Sequence, residues 1–312
     1  MSAVREAVEE YLTLRRGLGF KLRDPGTWLR QFATFLERHD ATHITIRLAL
    51  EWARQPTKAQ PAYWTRRLSV VRGFAQYCSA NDARTEVPPL GLLPHRFHRK
   101  PPYIYTDEEI GRLLDAAGKL PSMTGLRSHT YTTLLGLLVV TGMRISEVIA
   151  LQRDDVDLAD AVITIRRTKF GKSRLVPVHP STRRALQRYA KRRDRLHAKF
   201  RSSTAAFFFT DEHGGPVSTW AARRTFVRLS HEVGLRGQSD RRGPRLHDLR
   251  HRFAVKTLLG WYRAGIDVER HLPTLSTYLG HTHVTDTYWY LSAVPELMRL
   301  VVERLEAGAR SS

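Results

Sequence analysis

Apolar residues recur at helical spacing through most of this chain. Across the first hundred residues the stripes are Val4, Val8, Tyr11 and Leu12; Leu29, Phe32 and Leu36; Leu48 and Trp52; and Leu68, Val71, Phe74 and Cys78. Positions three and four apart share one face of a helix, so the pattern predicts four amphipathic helices closing on a common core. Asp24 followed by Pro25 reads as an N-cap with a first-turn proline, and Thr45 as the cap of the third helix.

The pattern then breaks. PPLGLLPHRFHRKPPY, from Pro88 to Tyr103, concentrates proline with basic residues and reads as an extended linker over 88–105. It separates a helical domain, 1–87, from a second domain, 106–312, which Thr106 and Glu109 open as a capping box. That domain is mainly helical. One strand pair interrupts it: Val162 to Arg166 alternates with period two, Phe170 and Gly171 supply a turn, and Leu175 to Val178 returns. Arg183 to Arg201 predicts a helix dense in Arg and Lys, and 295–307 a terminal helix striped by Leu297, Val301 and Leu305. The fold class expected is mainly α with a small β-hairpin, an α+β second domain behind an all-helical first.

Charge narrows the partners. Against 30 Asp and Glu stand 51 Lys and Arg, a formal net charge of +21. A surplus that large speaks for a polyanion, because cations that neutralise phosphates release condensed counterions. Arg66, Arg67 and Arg72 beside the fourth apolar stripe, and Arg96, Arg99 and Lys100 in the linker, are the cations expected to meet DNA; a solvated charged face is the plainer alternative. No apolar run reaches membrane-spanning length, and MSAVREAVEE has no secretory pattern. The single Cys78 falls on an apolar stripe, which reads as a core residue in a reducing compartment. The expected setting is therefore the cytoplasm.

Three segments hold residues suited to phosphodiester chemistry. Without a metal, charge growing on phosphate oxygens must be met by fixed cations, for which arginine is best fitted. TGMRISEVIAL offers Arg144, with Glu147 three residues on as a residue able to orient it, or merely a surface pair. RLHDLRHRFAV sets His247 and Arg250 on one helical face. His247 and His251, four apart, could alternatively ligate a metal, but the zinc-protease pattern wants glutamate where Asp248 stands, and Arg250 would repel the ion. YLGHTHVTDTYWYLS supplies His281 and, nine residues later, Tyr290; Tyr288 is a rival, turned about 200° away on a helix.

Taken in order, TGxRxSE, HxLRH and LGH followed by Tyr290 resemble the boxes of the tyrosine recombinases, the phage-integrase family. RTKFGKSRLVPV resembles that family's strand pair, whose lysine before the turn falls at Lys169, with Lys172 the lesser candidate; Lys172 and Arg174 are further cations expected to meet DNA. The one departure is length: Arg250 to His281 is longer than the family usually shows, with GWYRAGIDVERHLP holding the excess.

What the resemblance implies is a core-binding (SAM-like) helical domain and a catalytic domain forming a clamp on duplex DNA. Tyr290 would attack a phosphate to give a 3′-phosphotyrosyl link. Arg144, Arg250 and His281 would hold the oxygens, Lys169 would protonate the leaving 5′-oxygen, and His247 would assist proton transfer at the tyrosine. No cofactor is implied, neither metal nor ATP. Partners would be a double-stranded recombination site and further subunits in a synaptic tetramer that exchange the terminal helix, on a bacterial nucleoid. A type IB topoisomerase, or a DNA-binding regulator without chemistry, are the competing readings.

Overall fold

The computed structural model describes residues 2–93, 101–166, 173–200, 206–237, 239–240, 243–293, 296–299 and 302. The chain divides into two compact units, Met1–Lys100 and Pro101–Ser312.

The first unit is built from α1 (Ala3–Gly17), α2 (Arg23–Glu37), α3 (Ile46–Arg54) and α4 (Pro61–Cys78). The expected stripes form its core: Val8, Leu12, Leu29, Phe32, Leu36, Leu48, Trp52, Leu68, Val71 and Phe74 are all buried. Thr45 caps α3, its hydroxyl accepting from Leu48 N. The start of α2 differs from expectation. Leu22 takes a left-handed conformation at φ 37°, so the helix begins at Arg23 and Asp24 lies within its first turn. Leu93, inside the expected linker, is buried in this core; residues 94–100, with Arg96, Arg99 and Lys100, lie outside the described residues.

The second unit begins with α5 (Asp107–Gly118), whose Thr106–Glu109 capping box is formed reciprocally. Then come α6 (Leu126–Thr141), α7 (Ile145–Ala150), β1 (Val156–Asp157), β2 (Val162–Ile165), β3 (Arg174–Pro177) and α8 (Pro180–Phe200). The chain continues with α9 (Thr219–Glu232), α10 (Leu246–Arg263), α11 (Val268–Leu279) and α12 (Thr285–Ala293). The sheet is antiparallel in the order β1-β2-β3, with Ile163 opposite Val156 on one side and Val176 on the other. The expected hairpin is thus the outer part of a three-stranded sheet. Its tip, carrying Lys169 and Lys172, lies outside the described residues.

Packing divides the unit in two. Apolar faces of α5, α6, α8, α9 and the sheet enclose the larger cluster, while Val255, Leu258, Leu272, Leu275, Leu279 and Tyr290 form a smaller one among α10, α11 and α12. GWYRAGIDVERHLP forms the end of α10, a turn and the first turns of α11. The basic helix α8 is not uniformly outward. Leu186, Tyr189 and Arg193 face inward, Arg193 donating to the Phe208 carbonyl at 2.6 Å, while Arg184, Arg188, Lys191, Arg192 and Arg195 are exposed. No helix among the described residues is long and apolar enough to cross a membrane.

Candidate active site

Two glycines position the arginines. Gly142 ends α6 at φ +61°, and a side chain there would meet the Phe253 ring at 2.6 Å. Gly280 ends α11 at φ +69°, where a side chain would meet the Arg174 guanidinium, also at 2.6 Å. Gly142 therefore excludes a Cβ twice over, by backbone conformation and by space, while at Gly280 the backbone conformation disfavours one and the Arg174 guanidinium would have to shift. Their carbonyls then serve the site. Arg250, buried on α10, donates to Gly142 O at 2.9 Å and Leu279 O at 2.7 Å; Arg144, just before α7, donates to Gly280 O at 2.9 Å. The helix ends that carry TG and LG are thus tied to one another by the two guanidinium groups.

Glu147 completes the frame. Its carboxylate receives Arg144 NH1 at 2.8 Å and the Arg144 backbone N–H at 2.9 Å. It also grips Arg174 from β3 through two hydrogen bonds, at 3.0 and 2.8 Å, while Arg174 Nε donates to the Tyr278 carbonyl at 2.8 Å. Burial alone would raise the Glu147 carboxyl, but the hydrogen bonds and charges of Arg174 and Arg144 hold it below the usual range. Arg174, expected on DNA, has its guanidinium committed inside the frame.

The nucleophile candidate comes from α12. Tyr290 is 1% exposed whereas Tyr288 is 48% exposed, the separation expected two residues apart on a helix. The Tyr290 hydroxyl lies 3.1 Å from Nδ1 of His251. His281 stacks obliquely beside the same ring, at 6.2 Å between centroids, and its Nδ1 pairs with Thr287 Oγ1 at 2.8 Å. His247 meets His251 edge-on, 4.7 Å between ring centres. Its own ring reaches solvent, yet desolvation and the charges of Arg250 and Arg144 push it down to about 4. Burial, then Arg144, lowers Arg250 to about 10, so it remains charged at neutral pH.

Arg144, Glu147, His247, Arg250, His281 and Tyr290 are therefore brought together from α7, α10, α11 and α12. His251 was legible in the sequence only as one half of a possible metal pair, and its place at the tyrosine hydroxyl follows from the tertiary crossing of α10 and α12. In the first unit, Arg66 is exposed and Arg72 half-buried. Arg67 departs from the expectation of a DNA contact: it is 6% exposed, lies over the Trp52 ring at 3.7 Å and donates to the Trp52 carbonyl.

Comparison with known proteins bears on the family and the fold. The Phage integrase family model matches residues 104–296. A Sinorhizobium fredii protein named as integrase/recombinase y4rB is 52% identical, over 98% of each chain. Tyrosine recombinase XerC of Chlamydia caviae is 30% identical, covering 80% of this chain and 73% of its own. Among solved structures, Tn1549 transposon integrase has a TM-score of 0.66 at 18% identity, covering 96% of this chain and 99% of that one; XerH site-specific recombinase has 0.64 at 19%, covering 91% and 77%. The chain belongs to the phage integrase family, the tyrosine recombinases that break and rejoin DNA.

Proposed function

We propose that this chain is a site-specific recombinase that cuts duplex DNA with Tyr290, forms a 3′-phosphotyrosyl intermediate, and serves integration or excision of a mobile element. The observation that carries this reading is the convergence of a buried tyrosine hydroxyl with Arg144, Arg250, His247 and His281 around one small space. A tyrosine hydroxyl of ordinary pKa, about 10, is a weak nucleophile at neutral pH. The electrophile must then be activated, which is what two fixed guanidinium groups do for a phosphate.

In this reading Arg144, Arg250 and His281 hold the non-bridging oxygens, a histidine of α10, His247 by the resemblance, assists proton transfer at the tyrosine, and Lys169, outside the described residues, protonates the leaving 5′-oxygen. The mobile-element role draws on two solved relatives in fold, Tn1549 integrase in complex with transposon right end DNA and a lambda integrase dimer bound to a core site. The exposed cations of α8, with Arg66 and Arg72, are assigned to the DNA backbone, and the setting is the bacterial nucleoid. Subunits would assemble as a tetramer on two duplexes, exchanging the helix expected over 295–307. Of that helix only 296–299 and 302 are described, and Leu297 is buried against its own unit, beside Tyr290 in the smaller cluster. Exchange therefore requires Leu297 to leave this packing.

The test is to incubate the full chain with duplex DNA flanking its own gene and denature it. A covalent protein–DNA adduct and recombinant joints are expected. An adduct with relaxation but no joints would favour a topoisomerase, and no adduct would leave only a DNA-binding protein.

A further inference from the structure

Resting on the reading of Tyr290 as nucleophile, we propose that His251, rather than His247, is the catalytic base that accepts the Tyr290 proton. Among the histidines of the site, His251 is the one whose ring nitrogen meets the tyrosine oxygen, at 3.1 Å from Nδ1. His281 uses its Nδ1 on Thr287, and its ring packs on the face of Tyr290. His247 lies on the outer side of His251, its edge against that ring, and reaches solvent where a phosphate would enter. The two histidines of α10 thus form two layers. His247 faces the substrate side, and His251, 4% exposed, faces the nucleophile.

The helix geometry explains the division. Residues 247, 250 and 251 fall within one turn, so α10 can present His247 and Arg250 to a phosphate while His251, four residues from His247, passes beneath them toward α12. Trp289 packs against the same imidazole, its ring 5.4 Å from that of His251, and the burial of both His251 and Tyr290 keeps bulk water from the hydroxyl. A general base needs contact with the proton it removes, in geometry first. Here the contact already exists before DNA arrives.

The step balances without a further reagent. Tyr290 Oη bonds to phosphorus as the bond from phosphorus to the 5′-oxygen breaks. The tyrosine proton passes to Nδ1 of His251, which requires the tautomer protonated at Nε2, and the leaving oxygen takes a proton from Lys169. On rejoining, the imidazolium returns its proton to Tyr290.

The experiment measures single-turnover adduct formation by the full chain on the duplex that the wild-type protein cuts. It compares His251→Asn and His251→Leu with wild type, on ordinary DNA and on a 5′-bridging phosphorothiolate whose sulfur leaves without protonation. Asparagine keeps a hydrogen-bonding group near the Nδ1 position but cannot take the proton. Both variants are expected to lose about 10² to 10⁴-fold in rate, the usual range for general acid–base catalysis. The phosphorothiolate should not restore them, and DNA affinity should be unchanged. Should the leucine variant fail to fold, the asparagine variant carries the comparison.

A near-normal rate for His251→Asn would overturn the proposal in favour of simple positioning. Rescue by the phosphorothiolate would overturn it by placing the missing proton on the leaving group. An independent readout is the ¹⁵N resonance of His251 Nδ1, expected to shift in Tyr290→Phe because it loses its hydrogen-bond donor; no shift would overturn the contact itself. If the variants behave normally while wild type forms adduct, only this proposal falls. If wild type forms no adduct on any flanking duplex, the recombinase reading falls and takes this one with it.

Discussion

Glu147 on α7 and Arg174 on β3 are joined by two parallel hydrogen bonds, although 27 residues separate them, and both side chains are largely buried. Their pairing fixes the sheet against the helix end that carries Arg144. Replacing Glu147 by alanine leaves a buried guanidinium without its partner. The expected cost is about 3 to 5 kcal/mol of unfolding free energy. Chemical denaturation measures it, and a change below about 1 kcal/mol would show the frame to be dispensable.

Tyr290→Phe removes one oxygen from a ring that is otherwise packed in place. DNA binding should persist and the covalent adduct should vanish, while Tyr288→Phe, altering an exposed ring, should leave the adduct intact. A suicide substrate with a nick near the scissile phosphate reads both. Adduct from the Tyr290 variant and none from the Tyr288 variant would move the nucleophile by two residues.

Arg144 and Arg250 are expected to act before the nucleophile matters. Alanine at either position should slow cleavage by about 10² to 10³-fold or more, the usual cost of one lost preorganised donor. Cleavage kinetics on the same duplex decide, and near-normal rates would remove that arginine from the site.

His247 carries a pH signature. Its folded value, about 4, is below the unfolded value, so the unfolded chain binds a proton that the folded chain refuses. The group therefore leaves stability untouched above about pH 6.5 and lowers it as pH falls from there toward 4. NMR titration of the free protein should give a midpoint far below that of an ordinary histidine. Arg250→Gln should raise it, since one repelling charge is gone. A free-protein midpoint at or above 6.5 would contradict the field described.

Much of this architecture could be read from the sequence because it is written in local spacing. Stripes such as Leu29, Phe32 and Leu36 report a helix face directly, and the capping box at Thr106 needs only four residues. What spacing cannot report is which atom meets which across the fold. The Glu147–Arg174 pair, the burial of Arg67 against Trp52 and the meeting of His251 with Tyr290 all arise where distant elements cross. β1 is two residues long, too short to show a period, and the start of α2 depends on the unusual backbone at Leu22. The boxes named residues that the fold brings together, while the contact of His251 with the Tyr290 hydroxyl required tertiary structure.

Arg250 is held by the carbonyl oxygens of Gly142 and Leu279, which orient a guanidinium without cancelling its charge. A carboxylate in their place would have given the free protein a finished ion pair and left little attraction for DNA. As it stands, no carboxylate among the described residues is hydrogen-bonded to this buried cation, and burial together with the charge of Arg144 lowers the guanidinium's proton affinity, offset in part by Glu147. A phosphodiester held by Arg250, as proposed above, would supply a bonded counterion. On that proposal substrate would relieve the protein as well as react with it, and because the relief exists only in the folded state, the DNA-bound chain should unfold at a higher temperature than the free one.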